Sequence, residues 1–325
     1  MKKLITFILV LSLVLGLGAT AFAQEEYDDN AAVTIYKDLT LANEDTENPA
    51  ETFSFKIGAG TGERDGNPIP APEFNPNQFT ITFSQGQTSG SADLTLPEFT
   101  QVGVYTYTLT EEEGDTAGMR YDSGEYRLVV TVINNPDYEE GSNEPKSLRV
   151  LTLTDENNLK DDSFKNEFYA GSLTVRKQVT GNFGDPNDEF EVTVTLTPKE
   201  GKILKADPIL APAADSFSQD PETGAVTIKY TVKDGSEFTI SNIPYDVLYN
   251  VEEAQAEEYD EPVYDGNQSG EMDAPSKKTT ITNNRDIDIE TGVNLDSLPY
   301  FAILALAIGG LAMFLVRRRS QNLTL

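Results

Sequence analysis

Two lysines, two glutamates and two asparagines stand where a strand pattern asks for apolar residues. In a β-strand, alternate side chains share a face. Val33, Ile35, Lys37 and Leu39 form one such stripe, and Leu173, Val175, Lys177 and Val179 form another. A carboxyl group ends a stripe in each half of the chain: Glu111 follows Tyr105, Tyr107 and Leu109, and Glu253 follows Tyr249 and Val251. Asn166 lies between Phe164 and Phe168, and Asn283 follows Ile281 at the same parity. The trio therefore occurs twice, in the same order.

The chemistry open to such a trio is narrow. Dry surroundings lower a lysine pKa toward a nucleophilic neutral amine and raise a glutamate pKa toward a neutral acid. The acid can hydrogen-bond the carboxamide, polarise it and carry a proton to departing ammonia. Attack of Lys37 Nζ on Asn166 Cγ, or of Lys177 Nζ on Asn283 Cγ, then yields an isopeptide bond. Amides resist amines in solution, but groups fixed side by side reach effective molarities on the order of 10⁵–10⁸ M. Each site reacts once, with Glu111 and Glu253 as catalysts of self-modification rather than turnover. The competing reading of any single Lys–Glu pair is an edge-strand ion pair facing water. Glu112 and Glu113 compete with Glu111, Glu252 with Glu253, and Asn284 with Asn283; strand parity favours the residues named first.

The elements that must position these groups read as strands throughout. Runs at 32–39, 53–57, 79–83, 92–96, 105–109, 126–133 and 147–153, with a last strand over 164–168, predict an antiparallel sandwich. After a compact hinge at Tyr169, Ala170 and Gly171, a second all-β pattern follows at 171–179, 190–196, 225–232, 237–240, 248–251 and 278–282. Residues 202–221, rich in Pro, Ala and Asp, read as a long loop. The expected domains are 32–169 and 170–286, two tandem β-sandwiches, preceded by a flexible lead over 24–31.

The 325-residue chain contains no cysteine and no histidine. That removes disulfides, Cys/His metal sites and every histidine-based triad. No cofactor or metal is expected. A formal charge of −30 argues against nucleic acid. Among enzymes only a carboxylate hydrolase remains, and no second acid is placed beside either core glutamate. Asp185 to Glu189 and Asp155 to Asp162 lack the glycine and glutamate spacing of a calcium loop. Asn267-Gln268-Ser269 matches a glycosylation triplet that has meaning in a eukaryotic secretory route.

Both ends carry addresses. Residues 1–23 have the basic, apolar and small-residue parts of a secretory signal, with cleavage expected between Ala23 and Gln24. Residues 287–325 contain an apolar run over 298–316 followed by Arg317, Arg318 and Arg319. That run is long enough to span a membrane, with the arginines on the cytoplasmic side.

The stretches Tyr105-Thr106-Tyr107-Thr108-Leu109-Thr110-Glu111 and Phe164-Lys165-Asn166-Glu167-Phe168 resemble the signatures of streptococcal pilin isopeptide-linkage domains. Leu173 to Lys177, with Tyr249 to Glu253, is similar to the Cna protein B-type modules. The whole layout resembles the T-antigen-type backbone pilins of Gram-positive bacteria. The resemblance implies immunoglobulin-like sandwiches, sortase as a partner, and linkage to other pilin subunits or to cell-wall peptidoglycan at the cell surface. It implies membrane attachment through the C-terminal helix before sorting, and cutting between Thr291 and Gly292. There Glu290 stands in place of the family's proline. It also implies a polymerising lysine; the Tyr-Pro-Lys-Asn pilin motif is missing, and Lys160 and Lys165 are the candidates. The alternative is a wall-anchored adhesin that recognises a host or neighbouring-cell ligand.

Overall fold

The computed structural model describes residues 28–43, 45–287 and 298–321. The first half runs through β1 (Ala32–Leu41), β2 (Glu51–Ile57), β3 (Thr61–Arg64), β4 (Asn67–Ile69), β5 (Gln78–Phe83), β6 (Ser89–Thr95), β7 (Gly103–Glu111), β8 (Met119–Arg120), β9 (Glu125–Asn134), β10 (Ser147–Thr154) and β11 (Ser163–Phe168). The second contains β12 (Ala170–Thr180), β13 (Phe190–Pro198), β14 (Ser216–Gln219), β15 (Val226–Val232), β16 (Glu237–Pro244), β17 (Val247–Glu253), β18 (Val263–Gly266), β19 (Ser269–Glu271) and β20 (Ser276–Asn284). Alternation of apolar and polar residues drives these strands: in β7 every second side chain from Tyr105 to Glu111 is buried.

Each half is two facing sheets. In the first, the order β6-β1-β11-β8 faces β10-β9-β7-β2-β5, with β3 added on β7 and β4 on β3. In the second, β16-β12-β20-β18 faces β14-β15-β13-β17-β19. The pairs β1–β11 and β12–β20 are parallel, which corrects the expectation of a wholly antiparallel sandwich. A parallel pair needs a long crossover, and the first and last strands of a domain have the whole domain between them. Each half encloses its own apolar core, built around Phe55, Tyr107 and Phe164 in one case and Val192, Val226 and Ile281 in the other.

β14 forms inside the stretch expected to be loop. All four of its side chains are exposed, so no apolar alternation marks it; pairing along β15 makes it a strand. The lead is tied down where it is described. The Asp29 carboxylate pairs with the Arg149 guanidinium, and the Asn30 main chain donates to Arg149 O on β10 at 3.2 Å. Flexibility therefore does not extend to Asp29 and Asn30.

β11 and β12 are separated by Tyr169 alone. Around it the halves are stitched together. Asn242, at a φ of 59°, accepts from the Glu47 main-chain N–H at 3.0 Å and donates to Glu47 O at 2.7 Å. Arg120 pairs with Asp246 at 2.7 Å, and Glu51 accepts from Lys205 at 2.8 Å and from Thr116. Ala117, from the first half, packs in the second core. Beyond the sandwiches, α1 (Leu298–Gln321) contains a span long and apolar enough to cross a membrane, Pro299–Arg318, with mean hydropathy 2.2.

Candidate functional site

Strand register explains how the trio meets. Lys37 lies opposite Phe164, and Asn166 opposite Leu39, so lysine and asparagine sit two residues apart on neighbouring parallel strands, on the same inward face. β7 in the facing sheet sends Glu111 across the core to them. The second half repeats this: Lys177 pairs with Ile281, Asn283 with Val179, and Glu253 reaches over from β17. A parity argument from three separate strands thus converges on two points in space.

Both clusters are dry. Lys37 and Lys177 are 0% and 1% exposed, Asn166 and Asn283 1% and 0%, and the glutamate side chains are fully covered. Lys37 Nζ lies 2.9 Å from Glu111 Oε2, and Asn166 Nδ2 donates to Glu111 Oε1 at 2.8 Å. The glutamate therefore has one oxygen on the amine and the other on the carboxamide nitrogen. The Asp122 main-chain N–H donates to Asn166 Oδ1 at 2.7 Å. In the second half, Lys177 Nζ lies 3.2 Å from Glu253 Oε2, and Asn283 Nδ2 donates to Glu253 Oε1 at 2.6 Å. There Lys177 Nζ also contacts Asn283 Oδ1 directly. Aromatic rings close both sites: Lys37 Nζ is 5.1 Å from the centre of Phe53, and Lys177 Nζ is 3.9 Å from that of Phe190.

The spacing is that of ion pairs, and burial works against the charged forms. Desolvation pushes Lys37 and Lys177 below the usual lysine value, and attraction to Glu111 and Glu253 offsets part of this. Desolvation pushes both glutamates above the usual carboxylate range, against the opposing pull of their lysines. Both shifts favour amine plus acid, the forms an aminolysis needs.

The competing residues face elsewhere. Glu112 pairs with Lys56 on the surface, and Glu113 is exposed. Glu252 accepts from Asn250 at 2.8 Å, and Asn284 donates to Asp260 and Asp286. Lys160 is exposed beside a bridge to Thr154, and Lys165 points outward from β11 to Asp161 at 2.5 Å. Asp155 and Asp185 turn back onto main-chain N–H groups of Asn157 and Asn187, as ordinary acidic turns do. Ala23, Gln24, Thr291 and Gly292 lie outside the described residues. Sequence reasoning missed Asp122, Phe53 and Phe190. The Asp122-Ser123-Gly124 turn signal was visible, but nothing in one dimension ties that turn to Asn166.

Comparison with known proteins follows the same division of the chain. Residues 33–169 match the family model described as a Spy0128-like isopeptide containing domain, and residues 171–285 match a domain family of unknown function, DUF7601. A pilin of Streptococcus pyogenes serotype M1 is 28% identical over 341 residues, covering 95% of this chain and 98% of that one. Among solved structures, a major pilin from Streptococcus pyogenes aligns with a TM-score of 0.56 at 23% identity, over 80% of this chain and all of that one. The T3.2 major pilin of Streptococcus pyogenes aligns at 0.55 and 24%, over 80% of this chain and 99% of that one. These structures share the fold.

Proposed function

We propose that this chain, similar to a Streptococcus pyogenes pilin and matching a Spy0128-like isopeptide containing domain over its first half, is a Gram-positive pilin, a shaft subunit hardened by two self-made Lys–Asn bonds and anchored or polymerised by sortase. One observation carries the crosslink: an amine, an acid and a carboxamide meet in a dry core twice, at the same two-residue offset between first and last strands.

In each site the Nζ lone pair adds to Cγ of the asparagine. The glutamate oxygen facing Nζ takes a proton from it, and the glutamate proton passes to Nδ2. The Cγ–Nδ2 bond breaks and ammonia leaves, so amine plus carboxamide becomes amide plus ammonia. Glu111 and Glu253 end as they began.

The bond serves the fold as a bypass for tension. Force entering at Ala32 and leaving at Phe168 passes along β1 to Lys37, through the new amide, and out along β11, leaving the residues between them unloaded. Parallel β12 and β20 repeat the arrangement. Restricting the unfolded chain over such a loop adds about 4–5 kcal/mol by the disulfide analogy. Sortase would act at Thr291–Gly292 while α1 holds the chain in the membrane, with Lys160 or Lys165 as the receiving amine on an exposed part of the first half.

Intact mass tests the crosslinks. The exported region should weigh two ammonia molecules less than its sequence, and Glu111→Ala should restore one; an unshifted wild-type mass ends the crosslink reading. Wall extracts test assembly: a ladder of covalent multimers supports a shaft, and a single wall-linked band supports the adhesin reading.

A further inference from the structure

Asp122 lies outside the trio, yet its main chain touches a reacting group. We propose that the Asp122 N–H is the oxyanion donor of the first-half condensation, and that the Asp122 carboxylate is the clamp that aims it. The inference rests on the crosslink reading above and deepens it.

When the Nζ lone pair adds to Asn166 Cγ, the carbonyl π pair moves onto Oδ1. The Asp122 N–H already donates to that atom at 2.7 Å. A donor fixed in advance at the site of developing charge needs no reorganisation during the step. When the intermediate collapses, the pair returns to the carbonyl, the Cγ–Nδ2 bond breaks, and Glu111 delivers the proton that releases ammonia. The N–H donor is neither consumed nor charged.

The carboxylate explains why this N–H is held still. Asp122 Oδ1 accepts from the Gly124 N–H at 2.8 Å. Asp122 Oδ2 accepts from Tyr126 Oη at 2.9 Å and from the Lys165 N–H at 2.8 Å. Lys165 immediately precedes Asn166, so one carboxylate ties the donor's own loop to the strand that carries the acceptor. The second half has no counterpart. Among the described residues, Asn283 Oδ1 is approached by Lys177 Nζ and by no main-chain N–H.

The test is a time course on the full chain, made by cell-free translation in detergent, quenched in acid and digested. The masses of the linked Lys37–Asn166 and Lys177–Asn283 peptides are followed together, so the second bond serves as an internal control for folding. Asp122→Ala should slow the first bond on the order of tenfold or more, below the loss for a deleted donor because the N–H remains but loses its clamp. The second bond should keep its wild-type rate. Asp122→Ala also removes three hydrogen bonds from the first half, so the unfolding temperature should fall even in an Asn166→Ala background, and the rates are compared under conditions where the first half stays folded. An unchanged first-bond rate in Asp122→Ala overturns this inference alone. A wild-type chain without the first bond overturns the crosslink reading and this inference with it. Should Asp122→Ala leave the first half unfolded, Tyr126→Phe removes one tie while keeping the ring. A slowed first bond there supports the proposal, and an unchanged one overturns it.

Discussion

The two halves hang the same three side chains on corresponding strands and bring them to different contacts. In the first, the carboxamide oxygen is occupied by a main-chain donor and the amine faces the acid. In the second, the amine itself sits against the carboxamide oxygen, and Glu253 Oε2 is 3.2 Å from it. An N–H aimed at oxygen keeps its lone pair off the carbon, so in the proposed reaction Lys177 would have to turn before attacking. In the proposed reaction only the first site, among the described residues, has a main-chain donor on the oxygen where charge would develop. The difference teaches that bringing three residue types together is a coarser achievement than completing the polarisation of the carbonyl.

The largest effect should come from removing an acid. Glu111→Ala loses the first bond, about 4–5 kcal/mol, and strips a buried lysine of its partner, on the order of 3–5 kcal/mol more. Denaturant melts should show the first half unfolding well before the second, and Glu253→Ala should reverse that order. If both variants melt both halves together, the halves are not independent sites.

Asn166→Ala and Asn283→Ala keep the Lys–Glu pair but lose the bond, the hydrogen bond to the glutamate and, at Asn166, the acceptor of the Asp122 N–H. Lys177 and Asn283 are 106 residues apart; Lys37 is 74 from Glu111, which is 55 from Asn166. Loop restriction depends on the logarithm of length, so it separates the two deletions by only about 0.2 kcal/mol. A wider gap in calorimetry would mean that local packing around the sites differs more than their chain lengths do.

Acidity should separate the sites next. The proposed condensation needs the pair as amine plus acid, with one proton between them. Burial lowers Lys37 and raises Glu111, which moves the pair toward those forms. At lower pH the amine takes a second proton, at higher pH the acid loses its own, and the bonding rate falls on both sides. Phe190 lies closer to Lys177 than Phe53 does to Lys37 and favours the ammonium. The acid limb of the second site should therefore lie at higher pH, as read from linked-peptide yield across a buffer series. Coincident limbs would remove the ring from the account.

The smallest effect belongs to the seam. Arg120 is half exposed, so Arg120→Ala should cost below about 1 kcal/mol. Its signature is a wider separation of two calorimetric transitions, since Ala117 and the Asn242–Glu47 bonds remain.

Strand parity made much of this legible. An alternating stripe forces Lys37 inward whatever the loops do, and the same rule sets Glu111 apart from Glu112 and Asn283 from Asn284. Parallel pairing of β1 with β11 was not legible, because a stripe records which face is buried and not which way the neighbour runs. β14 was hidden because its side chains are all exposed and only its main chain is paired. Asp122 was hidden for a related reason. Its contribution is a main-chain N–H, which every residue but proline has, so no residue type announces it.

Tyr169 is the whole of the connection between β11 and β12. Its N–H is held by Gly118 O at 2.9 Å, and its own carbonyl accepts from the Tyr245 N–H at 3.0 Å. Nothing lies between the sandwiches that could be reeled out like slack rope. A row of such units would behave as a measuring rod rather than a spring, delivering a tug at its tip to its base undiminished.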